Sequence, residues 1–329
     1  MAKTTIKEIR YDSREEWLQI RSRYIGGSDA GAVVGLNPYK SAYTLWAEKT
    51  GKIAPFEGNL ITEVGSYLEE FVAELFTRET GKKVRRKNAV LVSDQYPFAC
   101  ANVDRLIVGE KAFLEIKTTN SLPLMRTLRN SDEFPDAYYA QCVHYLAVTD
   151  LQKCYLAVLI NCRELKIYEM ERDQDEIDAL MAAERYFMEH NVRRHVPPEI
   201  DGSESTGDTL EALSGDSTDA QADLSPLAKE LKIYETLAGL QKDTERQMDE
   251  IKNKIKAYMG EAGKGVYDRF SITYKTQERT TFDRKALAAE YPDINYGKYE
   301  KVSTSRPMTI RIKASDRVSG RYLCMGCGK

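Results

Sequence analysis

The chain has 329 residues, 42% of them hydrophobic, with 48 basic and 51 acidic side chains and a net charge of −3. This composition fits a soluble globular protein of one large domain or two. No stretch approaches the roughly 20 apolar residues of a membrane-spanning helix. The first residues, "MAKTTIKEIRYDSREEW", lack the apolar core of a secretion signal, so the cytoplasm is the expected compartment. Six cysteines (Cys100, Cys142, Cys154, Cys162, Cys324 and Cys327) are too dispersed for a disulfide framework, and most read as small buried side chains. The C-x-x-C of Cys324 and Cys327 has no convincingly spaced partners for a zinc or iron–sulfur site. A net charge near zero neither advertises nor excludes nucleic acid, because local patches decide.

Ser13 followed by Glu16 is a capping-box pattern and predicts a helix over about 13–23. A Gly-Gly turn follows, with Ser28 and Asp29 where a short helix begins. "SAYTLWAEKTGK" (41–52) reads as a helix that stops at Gly51. Over 59–80, Val64, Leu68, Phe71 and Leu75 recur at helical spacing, and Gly81 closes the helix. "GKKVRRK" (81–87) packs five basic residues into seven, either to contact phosphates or as a solvated strand edge. Strands are expected at 88–93, 98–103, 104–108 and 111–118, with a hairpin turn at Gly109-Glu110. A helix over 135–149, two strands, "CYLAVLI" and "ELKIYEM", and an amphipathic helix over 173–191 follow. The segment 201–223 holds seven acidic residues and no basic one, which predicts a flexible acidic linker. Beyond it lie a coiled-coil-like helix or helical hairpin of about 33 residues, a β-hairpin and a short helix. The division is 1–200 for the first domain, 201–225 for the linker and 226–329 for a small C-terminal module, and the fold class is α+β.

The chemistry is expected in "FLEIKTTN" (113–120). Phe113, Leu114 and Ile116 mark a buried strand, in which Glu115 and Lys117, two apart, share one face. Charges set against a core are costly unless paired or used. The pair could be a structural ion pair. With Asp104 upstream at the end of an adjacent strand, it also suits an oxygen-rich site for Mg²⁺. Glu69 flanks the apolar stripe of the 59–80 helix and could add a third carboxylate, whereas Glu70 points almost opposite. Lys117 could then orient a water for attack on phosphorus. Of the three histidines, His144, His190 and His195, the first lies near Gln141 on one helix face and reads as a packed core histidine. No GxxxxGK phosphate loop is present, which argues against an ATP-driven helicase.

In order, "EEWLQIRSRYIGGSDA", "GSYLEE", "ANVDRL", "FLEIKT" and "YYAQCVHY" resemble the lambda-exonuclease-like, YqaJ-type phage nucleases of the PD-(D/E)xK superfamily, over residues 13 to about 190. Val103 stands where the superfamily name has Pro. The resemblance implies a restriction-endonuclease-like core: a central mixed β-sheet flanked by helices. It implies metal ligation by Asp104, Glu115 and the Ile116 carbonyl, with Glu69 at the helical glutamate position, Lys117 as catalytic lysine and Gln141 in support. Tyr138 and Tyr145, nearby, read first as core-packing residues. It further implies that Arg21 and Ser28 hold a 5′-phosphate and that Trp17 steers the terminal bases. An arginine fork matches phosphate geometry, and an indole face can stack on a base. The bland alternatives are a core anchor, a surface charge and a helix cap for Trp17, Arg21 and Ser28.

The function that follows is a Mg²⁺-dependent (Mn²⁺ as alternative) 5′-to-3′ exonuclease on double-stranded DNA ends that leaves 3′ tails for recombination. The expected partners are a single-strand annealing protein and other copies of the chain in a ring-shaped trimer, with no membrane. No iron–sulfur cluster is expected, because the cysteine pattern of cluster-bearing relatives is missing. The alternatives are an endonuclease of the same fold or a non-catalytic DNA-end-binding protein.

Overall fold

The computed structural model describes residues 5–301 except 132 and 216, together with 308 and 310. Cys324 and Cys327 lie outside the described residues. The chain divides into two compact units, Met1–Asp216 and Ser217–Lys329. Among the described residues no helix is long and apolar enough to cross a membrane.

The first unit opens with strand β1 (Ile6–Ile9) and helix α1 (Arg14–Ser22), which Ser13 caps by accepting from the Glu16 amide. Strand β2 (Ile25–Gly26) runs directly into α2 (Gly27–Val33), and Ser41 caps α3 (Ala42–Lys49). Helix α4 (Leu60–Thr80) starts at Asn59 and stops at Gly81, whose φ of 72° lies in the left-handed region that glycine enters without a Cβ clash. Strands β3 (Val84–Arg86), β4 (Val90–Ser93), β5 (Ala99–Ala101), β6 (Arg105–Ile107) and β7 (Ala112–Thr119) follow. Helices α5 (Leu122–Asn130) and α6 (Asp136–Thr149) carry the chain across to β8 (Lys153–Ile160). Strand β9 (Glu164–Glu171), helix α7 (Gln174–Tyr186) with a π-helical turn over Phe187–Val192, and α8 (Glu204–Ser214) complete the unit.

The main sheet has the order β3-β6-β7-β8-β9. Strands β7 and β8 are parallel, as their helical crossover requires, and the other pairs are antiparallel. A second sheet has the order β1-β4-β5-β2. Side chains of β7 alternate between two cores. Leu114 and Ile116 pack with Val72, Ala73 and Phe76 of α4. Phe113 packs with Tyr145 and Leu146 of α6 on the opposite face, the face that Glu115 and Lys117 share by the two-residue period.

Several elements depart from the sequence expectation. Val64 and Phe71 are exposed, so the buried stripe of α4 is Val72, Ala73 and Phe76; the first half of the helix carries no buried residue. The basic run 81–87 contains edge strand β3, and much of its charge is paired: Lys82 with Glu110, Arg86 with Glu70 and Lys87 with Glu8. The 201–225 stretch is not wholly a linker. Residues 204–214 form α8, in which Thr206 and Thr209 are buried and hydrogen-bonded to Ser41 and Thr44 of the α3 start. Its hydroxyls supply contacts that composition alone hides.

In the second unit a 3₁₀ turn at Ser225–Leu227 enters α9 (Ala228–Met259), a single 32-residue helix. Its surface carries the pairs Lys232–Glu235, Lys252–Asp249 and Lys254–Glu250, and Leu237, Met248 and Ile251 on it are exposed. Strands β10 (Lys264–Tyr267) and β11 (Phe270–Thr273) form the hairpin, and α10 (Arg284–Glu290) is the short helix.

His144 is a core histidine. Its Nδ1 faces both carboxylate oxygens of Glu184, at 2.8 and 3.0 Å, and its Nε2 faces the Cys100 carbonyl at 2.9 Å. With an acceptor at each nitrogen, the doubly protonated ring is the form this cage satisfies. Burial opposes that charge, but Glu184 outweighs it and holds the His144 pKa above the usual 6.5; burial likewise raises Glu184. The folded pair therefore binds protons that the unfolded chain releases. The histidine's stabilising contribution is full below about pH 6.5 and is lost as pH rises through its raised value. A melting-temperature scan from pH 6 to 9 is expected to fall more steeply for the native chain than for the His144→Gln, Glu184→Gln double variant. Parallel curves would refute this.

Candidate active site

The site forms where β6 meets β7. The antiparallel register pairs Arg105 with Leu114, which sets Asp104, one residue earlier, opposite Glu115. Asp104 Oδ2 accepts from the Ile116 amide at 2.7 Å, a bond that fixes the carboxylate against the strand edge. Glu115 is 2% exposed. Its Oε1 accepts from Lys117 Nζ at 2.7 Å and from Gln141 Nε2 at 2.6 Å. Its Oε2 is buried and has no hydrogen-bond partner among the described residues. Such an orphaned oxygen is expensive unless something fills its coordination.

Gln141 comes from α6, one helical turn before Tyr145, and also reaches the Tyr145 hydroxyl at 3.3 Å. Tyr145 packs edge-on against Phe113, so it is both a core ring and a fixed partner to Gln141. Tyr138 is half-buried, with Lys117 Nζ 5.8 Å from its ring centre.

The electrostatics follow from this crowding. Burial and then the neighbouring Glu115 charge push Asp104 well above the usual carboxylate range. Burial raises Glu115 too, against the pull of Lys117. Burial opposes the Lys117 charge, but Glu115 and Asp104 together hold the amine firmly protonated. Lys117 is thus a cation that donates to Glu115.

Glu69 does not join the two carboxylates. It pairs with the Arg105 guanidinium, which also bonds Glu70 at 3.0 Å and the Asp104 carbonyl at 2.7 Å. The reason is topological: α4 covers the other face of the sheet, the one Arg105 shares with its cross-strand partner Leu114. Among the described residues no group of three His, Cys, Asp or Glu stands ready to hold a metal ion. The charge of Glu69 nevertheless reaches Asp104 and Glu115, raising both. Arg105, 3% exposed, is the residue that sequence reasoning missed; "DRL" gave no sign that its partners would come from a helix about 35 residues earlier.

A second cluster borders the first. Arg21 donates to Ser28 Oγ at 2.7 Å and lies 4.5 Å from the Trp17 ring centre. Trp17 is half-buried and α1 has no buried residue, so it is no core anchor. Ser28 is exposed and is not the cap: Gly26 holds that position, and its amide donates to the Asp29 carboxylate at 3.1 Å. Close approach requires the second glycine of the turn: a Cβ on Gly27 would run into the Tyr145 ring, whereas one on Gly26, 2.9 Å from the Arg21 guanidinium, would press only on the end of a flexible side chain. The Arg21 charge is felt at Glu115, which ties the two clusters into one region.

The five-stranded mixed sheet thus gathers Asp104, Glu115 and Lys117 where two of its strands meet. Residues 16–152 match the YqaJ-like viral recombinase domain. The uncharacterized protein YqaJ of Bacillus subtilis (strain 168) is 38% identical over 299 residues, covering 88% of this chain and 91% of that protein. The chain belongs to the YqaJ-like viral recombinase family. Among solved structures, an alkaline exonuclease from Laribacter hongkongensis is 18% identical with a TM-score of 0.46, covering 55% of this chain and 94% of its own. A phage-related exonuclease from Haemophilus somnus 129PT is 13% identical with a TM-score of 0.39, covering 50% and 93%.

Proposed function

We propose that the protein is a divalent-metal-dependent exonuclease that enters linear double-stranded DNA at a 5′-phosphorylated end, hydrolyses it 5′ to 3′ and leaves a 3′ single strand. The observation that carries this reading is the meeting of Asp104, Glu115 and Lys117 on one face of the sheet, next to the Arg21–Ser28 pair. Membership of a viral recombinase family supports a role in preparing DNA for recombination.

Asp104, Glu115 and the Ile116 carbonyl would hold the cation, with Mg²⁺ the first choice and Mn²⁺ the alternative. The orphaned Glu115 Oε2 and the two neighbouring carboxylates fit such an ion, whose charge relieves their repulsion. Glu69 would contribute only after leaving Arg105. When bound, the ion supplies Lewis-acid stabilisation of charge at phosphorus.

The chain's own residues do the rest. Lys117, kept protonated, donates to the phosphoryl group and offsets the charge that builds on it in the transition state. Gln141 holds Glu115 in place. Arg21 and Ser28 bind the terminal phosphate through a charged fork and a hydroxyl, and Trp17 offers a stacking face to the end bases. A single-strand annealing protein and other copies of this chain in a trimeric ring are the proposed partners, with the second unit as the contact region.

The test compares 5′-phosphorylated linear, 5′-hydroxyl linear and covalently closed DNA, each with and without Mg²⁺. Rapid loss of the phosphorylated linear duplex in Mg²⁺, with the closed circle intact, is the expected result. Nicking or linearising the circle would indicate an endonuclease instead. No digestion of any substrate by the native protein would leave only an end-binding role.

A further inference from the structure

The Arg21–Ser28 pair stands beside a buried carboxylate that ought to spoil it. Asp29, next in sequence to Ser28, is 8% exposed, and the Arg21 charge acts on it. An arginine whose charge reaches a buried aspartate could pair with it, and the site would then have no positive charge left for an incoming anion. That pairing is not formed. Among the described residues no carboxylate lies within ion-pair distance of Arg21; its contacts are the Ser28 hydroxyl and the Trp17 ring.

Lys49, at the last position of α3, takes the carboxylate instead. Its Nζ lies 3.1 Å from Asp29 Oδ2, with side-chain exposures of 10% and 12%. The same ammonium donates to the Tyr24 carbonyl at 2.6 Å and the Arg21 carbonyl at 3.3 Å. Two hydrogen bonds and an ion pair thus turn this ammonium inward, although it is a cation beside an anion site. The two carbonyls lie at the end of α1 and just beyond it, and the carboxylate belongs to α2. Lys49 ties the segment that carries Arg21 to the segment that carries Ser28. Asp29 itself is pulled below the usual carboxylate range, because Lys49 and then Arg21 outweigh the effect of burial.

We propose that Lys49 is a positioning residue for recognition of the DNA end: by neutralising Asp29 and holding the Arg21 and Tyr24 carbonyls, it leaves the Arg21 guanidinium free at Ser28 for a terminal phosphate. The proposal rests on the reading that Arg21 and Ser28 receive that phosphate. It makes charge balance, and not contact with DNA, the role of Lys49. Removing the lysine should let Asp29 capture Arg21. Removing the aspartate as well should release Arg21 again.

The experiment measures kcat/KM on matched linear duplexes with 5′-phosphoryl and 5′-hydroxyl ends and takes their ratio. In Lys49→Met the ratio is expected to fall about tenfold or more, while the rate on hydroxyl ends, which reads the catalytic centre alone, stays within about threefold of native. In the Asp29→Asn, Lys49→Met double variant the ratio should return to within about threefold of native. Asp29→Asn alone should keep the native ratio or exceed it, and Lys49→Arg should also keep it. A Lys49→Met ratio equal to native overturns the proposal. So does a double variant as defective as Lys49→Met, because the lysine would then be acting on the phosphate directly or on the fold. If Lys49→Met fails to fold, Asp29→Asn still decides, since a lost ratio there contradicts the charge-balance role. Arg21→Gln separates the two levels. A native preference that survives Arg21→Gln means that the phosphate site itself is misassigned, and the Lys49 proposal falls with it. A preference that Arg21→Gln abolishes and Lys49→Met spares sinks the Lys49 role alone.

Discussion

Asp104→Asn is expected to abolish hydrolysis while raising the melting temperature of the metal-free protein. In the free protein Asp104 is a partly buried carboxylate facing a second one, Glu115, and that repulsion and the burial both oppose its charge. An amide oxygen can still accept the Ile116 amide bond, so the local geometry survives. Removing the like charge should stabilise the fold by about 1 kcal/mol, or roughly 2–4 °C in Tm for a unit of this size. The same change removes a negative oxygen from the proposed cation site. Loss of metal-linked charge stabilisation worth several kcal/mol lowers the rate by at least about 10²- to 10³-fold. Thermal melts in a chelator and digestion of a phosphorylated linear duplex check the two halves. A variant that loses activity and also melts earlier would mean that Asp104 is a structural residue.

This opposition between stability and activity could be read from sequence only in part. The two-residue period of a strand was enough to put Glu115 and Lys117 on one side of β7, and strand order brought Asp104 opposite them. Local rules also marked the ends of α1 and α4, because Ser13 and Gly81 act on their own neighbours. What stayed hidden depends on distant partners. Arg105 reads as a charge beside a motif, yet it is buried and takes Glu69 and Glu70 from α4. Apolar spacing along α4 could not tell which residues meet the sheet, since Val64 and Phe71 fit the helical period but stay exposed. The helix in the acidic stretch was invisible for a related reason. Thr206 and Thr209 are stabilised by Ser41 and Thr44, more than 160 positions away, and acidic composition says nothing of that contact. Short β1, four residues long, gave too little periodicity to be seen, whereas the crossover helix α5 carries Leu124, Met125 and Leu128 on one packed side and was legible but missed.

Lys117→Met is expected to match Asp104→Asn in lost activity and to oppose it in stability. The lysine supplies the one ammonium bonded to Glu115, whose side chain is 2% exposed. Methionine keeps the stem of the side chain but leaves that carboxylate with Gln141 as its remaining donor among the described residues. Breaking a buried pair from one side typically costs about 3–5 kcal/mol, and the low end applies because the Lys117 side chain retains 27% exposure. Melting should therefore shift down by roughly 6–12 °C. Turnover should fall about 10²- to 10³-fold, the usual cost of removing one preorganised donor from a phosphoryl transition state. Added divalent cation should recover part of the melting temperature, because it supplies the positive charge that Glu115 has lost, but it should not recover turnover. Stability and activity returning together at high Mg²⁺ would show that Lys117 serves only to balance charge. A variant that melts like the native chain would show that Glu115 and Lys117 do not depend on each other, and the electrostatic account of the site would fail.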